Sequence, residues 1–113
     1  MADVVYINVE EGTKRVMNNT KLYAKLLTKF KDDQNIKSIE SFLAAGDLPN
    51  AQVATHTLKG LSANLSLTEL NKQVIELEAQ IKSGTVKPDQ YGIVKTVYDQ
   101  TVTEVDKVIA QYA

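Results

Sequence analysis

The sequence contains no cysteine, which removes disulfides, thiolate chemistry and most zinc sites together. It contains one histidine, so an all-protein metal cage would have to rely on carboxylates. A metal-assisted hydrolase is poorly served by the acids that are present. Asp32-Asp33 and Glu10-Glu11 read as solvated acids near loops and helix starts, while Glu69, Glu76 and Glu78 are expected on several faces of one helix without converging. No apolar run approaches the roughly 20 residues of a membrane span. The start MADVVYINVEEG lacks a basic segment followed by an apolar one, so no export signal is visible. Thirteen Lys and Arg stand against fourteen Asp and Glu, which leaves no basic field to hold nucleic acid. Neither G-x-x-x-x-G-K-[ST] nor G-x-G-x-x-G occurs, so the chain has no nucleotide loop of its own. Repeats and low-complexity tracts are also missing. These absences fit a cytoplasmic protein whose residues 1–113 form a single domain. Met1 and the end at Ala113 fit a separate protein rather than a piece of a larger one.

What is present is helical periodicity. Asn8-Val9-Glu10-Glu11 has the N-x-x-E form of a capping box and opens a short helix to about Val16. Asn19 can cap a second, with Leu22, Tyr23, Leu26, Leu27 and Phe30 along one side. Ile36, Ile39, Phe42 and Leu43 mark a third, which Gly46 is placed to end in the left-handed conformation. Asp47 and Pro49 look like the first turn of a helix running to about Leu65, with the seam Ala51, Ala54, Leu58, Leu61 and Leu65. Ser66-Leu67-Thr68-Glu69 has the S-x-x-E form of another capping box. The helix it would open carries Leu67, Leu70, Val74, Leu77 and Ile81, and Gly84 stops it. Pro88 begins the last, with Tyr91, Val94, Tyr98, Val102, Val105, Ile109 and Tyr112 inward. The pattern predicts an all-α fold: an antiparallel up-and-down four-helix bundle with two additional short N-terminal helices across one end. Val4-Val5-Tyr6-Ile7 is too short for a sheet and is expected as an extended arm on the bundle. No apolar stripe is left over to demand a dimer, so a monomer is expected.

Unrolling the fourth helix at about 100° per residue centres its apolar seam on one side and puts His56 roughly opposite. The only histidine therefore faces solvent at the middle of a rigid element. Its neighbours three, four and seven residues away on that face are Gln52, Lys59, Gly60 and Ala63. A neutral imidazole can attack phosphorus through a ring nitrogen, and an ammonium one turn on can neutralise phosphoryl oxygens. Gly60 costs about 1 kcal/mol of helix stability relative to alanine. It faces away from the predicted core, so close approach by a partner is the better reason for it. A lone exposed histidine is usually no more than a solvated residue; the combination is what argues for chemistry.

The stretch Ala54-Thr55-His56-Thr57-Leu58-Lys59-Gly60-Leu61-Ser62-Ala63-Asn64-Leu65 closely resembles the signature of histidine phosphotransfer (HPt) domains of bacterial two-component phosphorelays, roughly H-x-L-K-G-x-[SA]-x-x-[LIV]-G. Gly12, Arg15, Asn19, Leu22, Tyr23, Leu26, Leu27 and Phe30 resemble the family's upstream pattern, Gly46-Asp47 its G-D pair, and Leu77-Glu78 its L-E pair. The likeness covers about residues 5–82. Ser66 departs from it, standing where the family usually has glycine; the capping box offers a local explanation. The resemblance implies a carrier that takes a phosphoryl group on His56 from a receiver-domain aspartate or a kinase and passes it to another receiver aspartate. Lys59 would steady the phosphate, Gly60 would admit the partner, and Gln52 and Ala63 would lie under it. Partners would be response-regulator receiver domains and a sensor histidine kinase, with Mg2+ supplied by the receiver and no cofactor in this chain. The alternative is a degenerate bundle of the same kind that only binds partners.

Overall fold

The computed structural model describes residues 4–112, so Met1 and Ala113 lie outside it. Among the described residues there are six helices and no strand: α1 (Val9–Lys14), α2 (Thr20–Lys31), α3 (Asn35–Ala44), α4 (Leu48–Asn64), α5 (Thr68–Ser83) and α6 (Gln90–Tyr112). Helices α3 to α6 are the antiparallel up-and-down bundle, and α1 and α2 are the two additional N-terminal helices.

Local chemistry sets most helix ends. Asn8, Asn19 and Asp47 each accept from the amide three residues on, at Glu11, Leu22 and Asn50. At the end of α3, Gly46 has φ 72, its amide bonds to Leu43 and the Asp47 amide to Phe42, which is the Schellman arrangement. Gly84 ends α5 in the same left-handed region.

The expected box at Ser66-Glu69 does not form. Residue 67 is the N-cap of α5, with no side-chain cap bond, and Ser66 belongs instead to the end of α4. It sits at φ 57, with its amide on Ala63 O and the Leu67 amide on Ser62 O, a second Schellman turn. That turn demands a left-handed residue, which is why glycine suits the position and serine is strained there. The Ser66 hydroxyl finds compensation by donating to Glu11 Oε1 at 2.8 Å and accepting from Arg15 Nη1.

The core follows the predicted seams closely in α5, where Leu67, Leu70, Val74, Leu77 and Ile81 are all buried. In α4 the seam is wider than its aliphatics, because Thr55 and Ser62 are fully buried as well. Thr55 returns its hydroxyl to Ala51 O at 2.7 Å and so brings no unpaired group inside. Leu58, Leu70 and Leu77 have no exposed surface, and truncating any of them to alanine costs about 2–5 kcal/mol.

Helix α1 lies at one end of the bundle, where the Asn8 amide bonds to Ser66 O. Helix α2 reaches further than an end cap. Its Phe30 ring stands 5.5 Å from Tyr98 of α6, and Lys31 pairs with Asp106 at 2.5 Å. The reason is its buried stripe, Tyr23, Ala24, Leu27 and Phe30, which needs a flank rather than an end to cover it. Leu22, placed in that seam from the sequence, is 39% exposed; Ala24 takes the inward position. The Tyr23 hydroxyl donates to Leu65 O at 2.6 Å, and burial pushes the phenol up to about 12, so it stays a donor. Residues 4–8 form neither helix nor strand and bend at Tyr6, and the Val5 carbonyl accepts from the Thr68 hydroxyl at the start of α5.

Candidate functional site

His56 is the ninth of the seventeen residues of α4, far from either frayed end. Its side chain is 68% exposed, as the helical wheel requires. Gly60 and Ala63 are exposed along the same face and Gln52 is half-buried. A Cβ built on Gly60 would meet nothing within 4 Å. Val53, one turn before His56, also stands exposed on α4, an apolar neighbour that the sequence reading did not single out.

The larger omission is Glu78. The sequence reading set it among acids that do not converge with one another, and did not pair it with His56 or Lys59. Its carboxylate is 4% exposed and points across the α4–α5 groove to His56 and Lys59. Oε2 lies 3.1 Å from His56 Nδ1, and Oε1 accepts from Lys59 Nζ at 2.5 Å. Lys82, the next turn of α5, brings Nζ to 3.9 Å from Oε2. On the helical wheel Glu78 falls about 40° from Val74, close enough to the apolar seam to be drawn inside. A carboxylate so placed must be paired, and that was the signal available.

Other bonds hold this geometry. Asn71 of α5 donates to Lys59 O at 3.0 Å and to Ser62 Oγ at 3.2 Å, fixing the sliding register of the two helices. Ser62 in turn donates to Lys59 O at 3.0 Å. The backbone beside Lys59 is thus tied to α5 independently of its charge.

The electrostatics are those of one buried anion serving three cation-capable groups. Burial by itself pushes the Glu78 carboxyl up. The hydrogen bonds from Lys59 and His56, with the charges of Lys59 and Lys82, outweigh it and leave the group below its ordinary value. Glu78 is therefore an anion at neutral pH, and an ionised carboxylate only accepts. The contact with His56 Nδ1 assigns a proton to that nitrogen, and in a neutral ring the lone pair then lies on Nε2. The arrangement presents a nucleophilic nitrogen on an exposed ring whose other nitrogen is held by a fixed anion. Among the described residues no cluster of three or more His, Cys, Asp or Glu could hold a metal ion, and no helix is long and apolar enough to cross a membrane.

Comparison with known proteins adds one finding. A family model described as "Hpt domain" matches residues 25–111, taking in α3 to α5 whole, nearly all of α6 and the latter part of α2. The match includes α6, which carries little motif, and leaves out the upstream positions Gly12, Arg15, Asn19, Leu22 and Tyr23. No curated protein and no solved structure matches the chain.

Proposed function

The chain belongs to the Hpt domain family, and on that footing we propose that it carries a phosphoryl group on His56 between the aspartates of two receiver domains, or from a kinase to a receiver. Hpt domains are histidine phosphotransfer intermediates rather than catalytic enzymes, work with two-component kinases and receivers, and need no cofactor of their own. The observation that carries the finer reading is the pairing of the sole, exposed histidine with a buried carboxylate through Nδ1, which leaves Nε2 to react.

The step follows from that geometry. A receiver's aspartyl phosphate presents its phosphorus over α4, and Nε2 attacks in line with the departing aspartate oxygen. The N–P bond forms, the P–O bond breaks, and the electron pair leaves on the receiver's carboxylate. The ring then bears phosphorus on Nε2 and a proton on Nδ1, so it holds a positive charge. Glu78 faces that charge and stabilises it, as a buried carboxylate does for an imidazolium in other nucleophile–base pairs. Lys59 meets the phosphoryl oxygens as they arrive. Gly60 and Ala63 leave room for the receiver surface, and Gln52 lies at its edge. Passing the group on is the reverse reaction with a second receiver's aspartate as nucleophile, and Mg2+ belongs to that receiver.

The reading takes residues 1–113 as one domain acting as a cytoplasmic monomer, with neither nucleic acid nor membrane as partner. Its test is incubation with a receiver carrying labelled aspartyl phosphate. Wild-type protein takes the label in acid-labile, base-stable form and yields it to a second receiver. His56→Gln keeps its helical spectrum and takes none. A folded wild-type protein that binds phosphorylated receivers without accepting label would instead make the chain a binding module.

A further inference from the structure

Helix α5 carries a half-buried asparagine, Asn71, on the face turned to α4, and asparagine is a poorer helix former than leucine or alanine. Its amide nitrogen donates to Lys59 O at 3.0 Å and to Ser62 Oγ at 3.2 Å, and Ser62 donates to the same carbonyl at 3.0 Å. A carbonyl oxygen only accepts, so the Asn71 side chain is set with Nδ2 toward α4. Among the described residues, the side-chain hydrogen bonds that join α4 to α5 are those of Asn71 and those of Glu78. The Glu78 bonds are the site itself. The Asn71 bonds are the directed ones that hold it from outside.

Asn71 and Glu78 are two turns and about 10.5 Å of helix apart, and they fall within about 20° of one another around α5. On α4 the tied carbonyl belongs to Lys59, whose ammonium meets Glu78, and His56 lies one turn before it. The contact from Glu78 Oε2 to Nδ1 is 3.1 Å long, so sliding α5 along α4 by about half an ångström takes it outside hydrogen-bond range. Leu58 of α4 and Leu70, Val74 and Leu77 of α5 share the core, but burial of apolar surface is not directional and tolerates such a slide better than a hydrogen bond does.

We propose that Asn71 is a positioning residue for phosphoryl transfer: by tying the Lys59 carbonyl and the Ser62 hydroxyl to α5, it sets the axial register at which Glu78 accepts from His56 Nδ1. This rests on His56 being the phosphoryl acceptor. Asn71 touches no reacting atom. It acts through Glu78, which holds the Nδ1 proton and so leaves the lone pair on Nε2. With the Asn71 bonds gone, Glu78 loses part of its hold on Nδ1. The ring then spends more time with its proton on Nε2, and fewer molecules present a nucleophile there at any moment.

The test uses phosphoramidate as donor, so no partner protein enters. Nε2 attacks its phosphorus, the new N–P bond forms, the donor's own N–P bond breaks with its electron pair on nitrogen, and ammonia leaves. Acceptance rate, melting temperature and the ring 15N shifts of unphosphorylated His56 are measured for wild type, Asn71→Leu and Asn71→Gln. The ring shifts report the share of molecules protonated on Nδ1. Val94→Ala, a truncation at a fully buried position of α6, is the control for stability alone. Asn71→Leu melts close to wild type, loses part of its Nδ1-protonated share and accepts phosphate roughly three- to ten-fold more slowly. Asn71→Gln keeps a donor on a longer stem and recovers part of both. Val94→Ala melts lower yet keeps the wild-type ring shifts and rate. Should leucine crowd the groove and disturb the fold, Asn71→Ala makes the same comparison without added bulk. Asn71→Leu with wild-type ring shifts overturns the proposal while His56 remains the acceptor, whatever its rate, because the effect then does not pass through Glu78. The same changes in Val94→Ala overturn it too, as a matter of stability. No phosphohistidine in the wild type removes the functional reading and this one with it.

Discussion

Gly60 separates two accounts of the α4 face, because alanine there helps the fold and a longer side chain hinders docking. A Cβ at Gly60 meets nothing within 4 Å, so Gly60→Ala adds helix propensity without a clash. The gain is about 1 kcal/mol, from a mid-helix glycine replaced by the best helix former. For a domain of this size that raises the melting temperature by roughly 4 °C. Gly92 in α6 has the same open surroundings and should respond alike. Gly12 should respond in the opposite sense. There a Cβ would lie 2.5 Å from Tyr23 Cε1 and Oη, on a ring with no exposed surface whose hydroxyl is bound to Leu65 O. Overpacking of that kind costs about 1–3 kcal/mol. Thermal melts of Gly12→Ala, Gly60→Ala and Gly92→Ala check these signs together. The functional half needs a bulkier residue. Gly60→Gln should melt at or slightly above the wild-type temperature yet accept phosphate from a receiver at least ten-fold more slowly. Its acceptance from phosphoramidate, which needs no docking surface, should change little. A destabilised Gly60→Ala, or a Gly60→Gln that takes label from the receiver at the wild-type rate, refutes the reasoning.

Three further outcomes follow from the site and its supports. Glu78→Gln keeps an acceptor for Nδ1 but loses the charge facing the imidazolium, so acceptance should fall by about ten- to a hundred-fold, equivalent to roughly 1.4–2.7 kcal/mol, while the far-UV spectrum stays helical; transfer at the wild-type rate would reduce Glu78 to a structural acid. Because folding holds the Glu78 carboxyl below its ordinary 4.5, its contribution to stability is present above that value and is lost as pH falls through the lowered one. The melting-temperature gap between wild type and Glu78→Gln should therefore narrow from pH 7 to pH 3, and a gap that widens in acid contradicts the sign. At the α4–α5 turn, Ser66→Ala keeps the strained φ and loses the bonds to Glu11 and Arg15, whereas Ser66→Gly removes the strain. Chemical denaturation should find Ser66→Ala the less stable of the two by about 1 kcal/mol, and the reverse order would show the left-handed turn is not the reason for the residue.

Helix ends governed by local chemistry were legible in the sequence. Asn8 and Asn19 cap as their positions suggest, and Gly46 and Gly84 stop their helices where left-handed residues are needed. The α5 seam was legible for the same reason, its aliphatics falling on one clear stripe. Ser66 was misread because two local patterns compete for it. The S-x-x-E box is visible in four letters, whereas the Schellman turn depends on where α4 ends, with Leu65 as its C-cap. Leu22 and Ala24 exchange places because hydrophobicity alone favours the larger residue, whereas the stripe of α2 that is buried runs through Tyr23, Ala24, Leu27 and Phe30. On α4, His56, Lys59 and Gly60 could be read from one helix because a single wheel places them. Glu78 and Lys82 could not, since their relation to His56 exists only once α4 and α5 are paired in register, and that register is fixed by Asn71 and the buried leucines.

The central claim is that a phosphoryl group resides on Nε2 of His56, with Nδ1 protonated against Glu78. Long-range 1H–15N correlation spectra of 15N-labelled protein, recorded before and after phosphorylation, address it directly. With a single imidazole in the chain the ring signals need no sorting among sites. The account predicts a protonated Nδ1 in both states, a phosphorus coupling on Nε2 after phosphorylation, and a loss of the protonated Nδ1 signal in Glu78→Ala. Phosphorus coupled to Nδ1, or label on a protein whose His56 signals do not change, would contradict it.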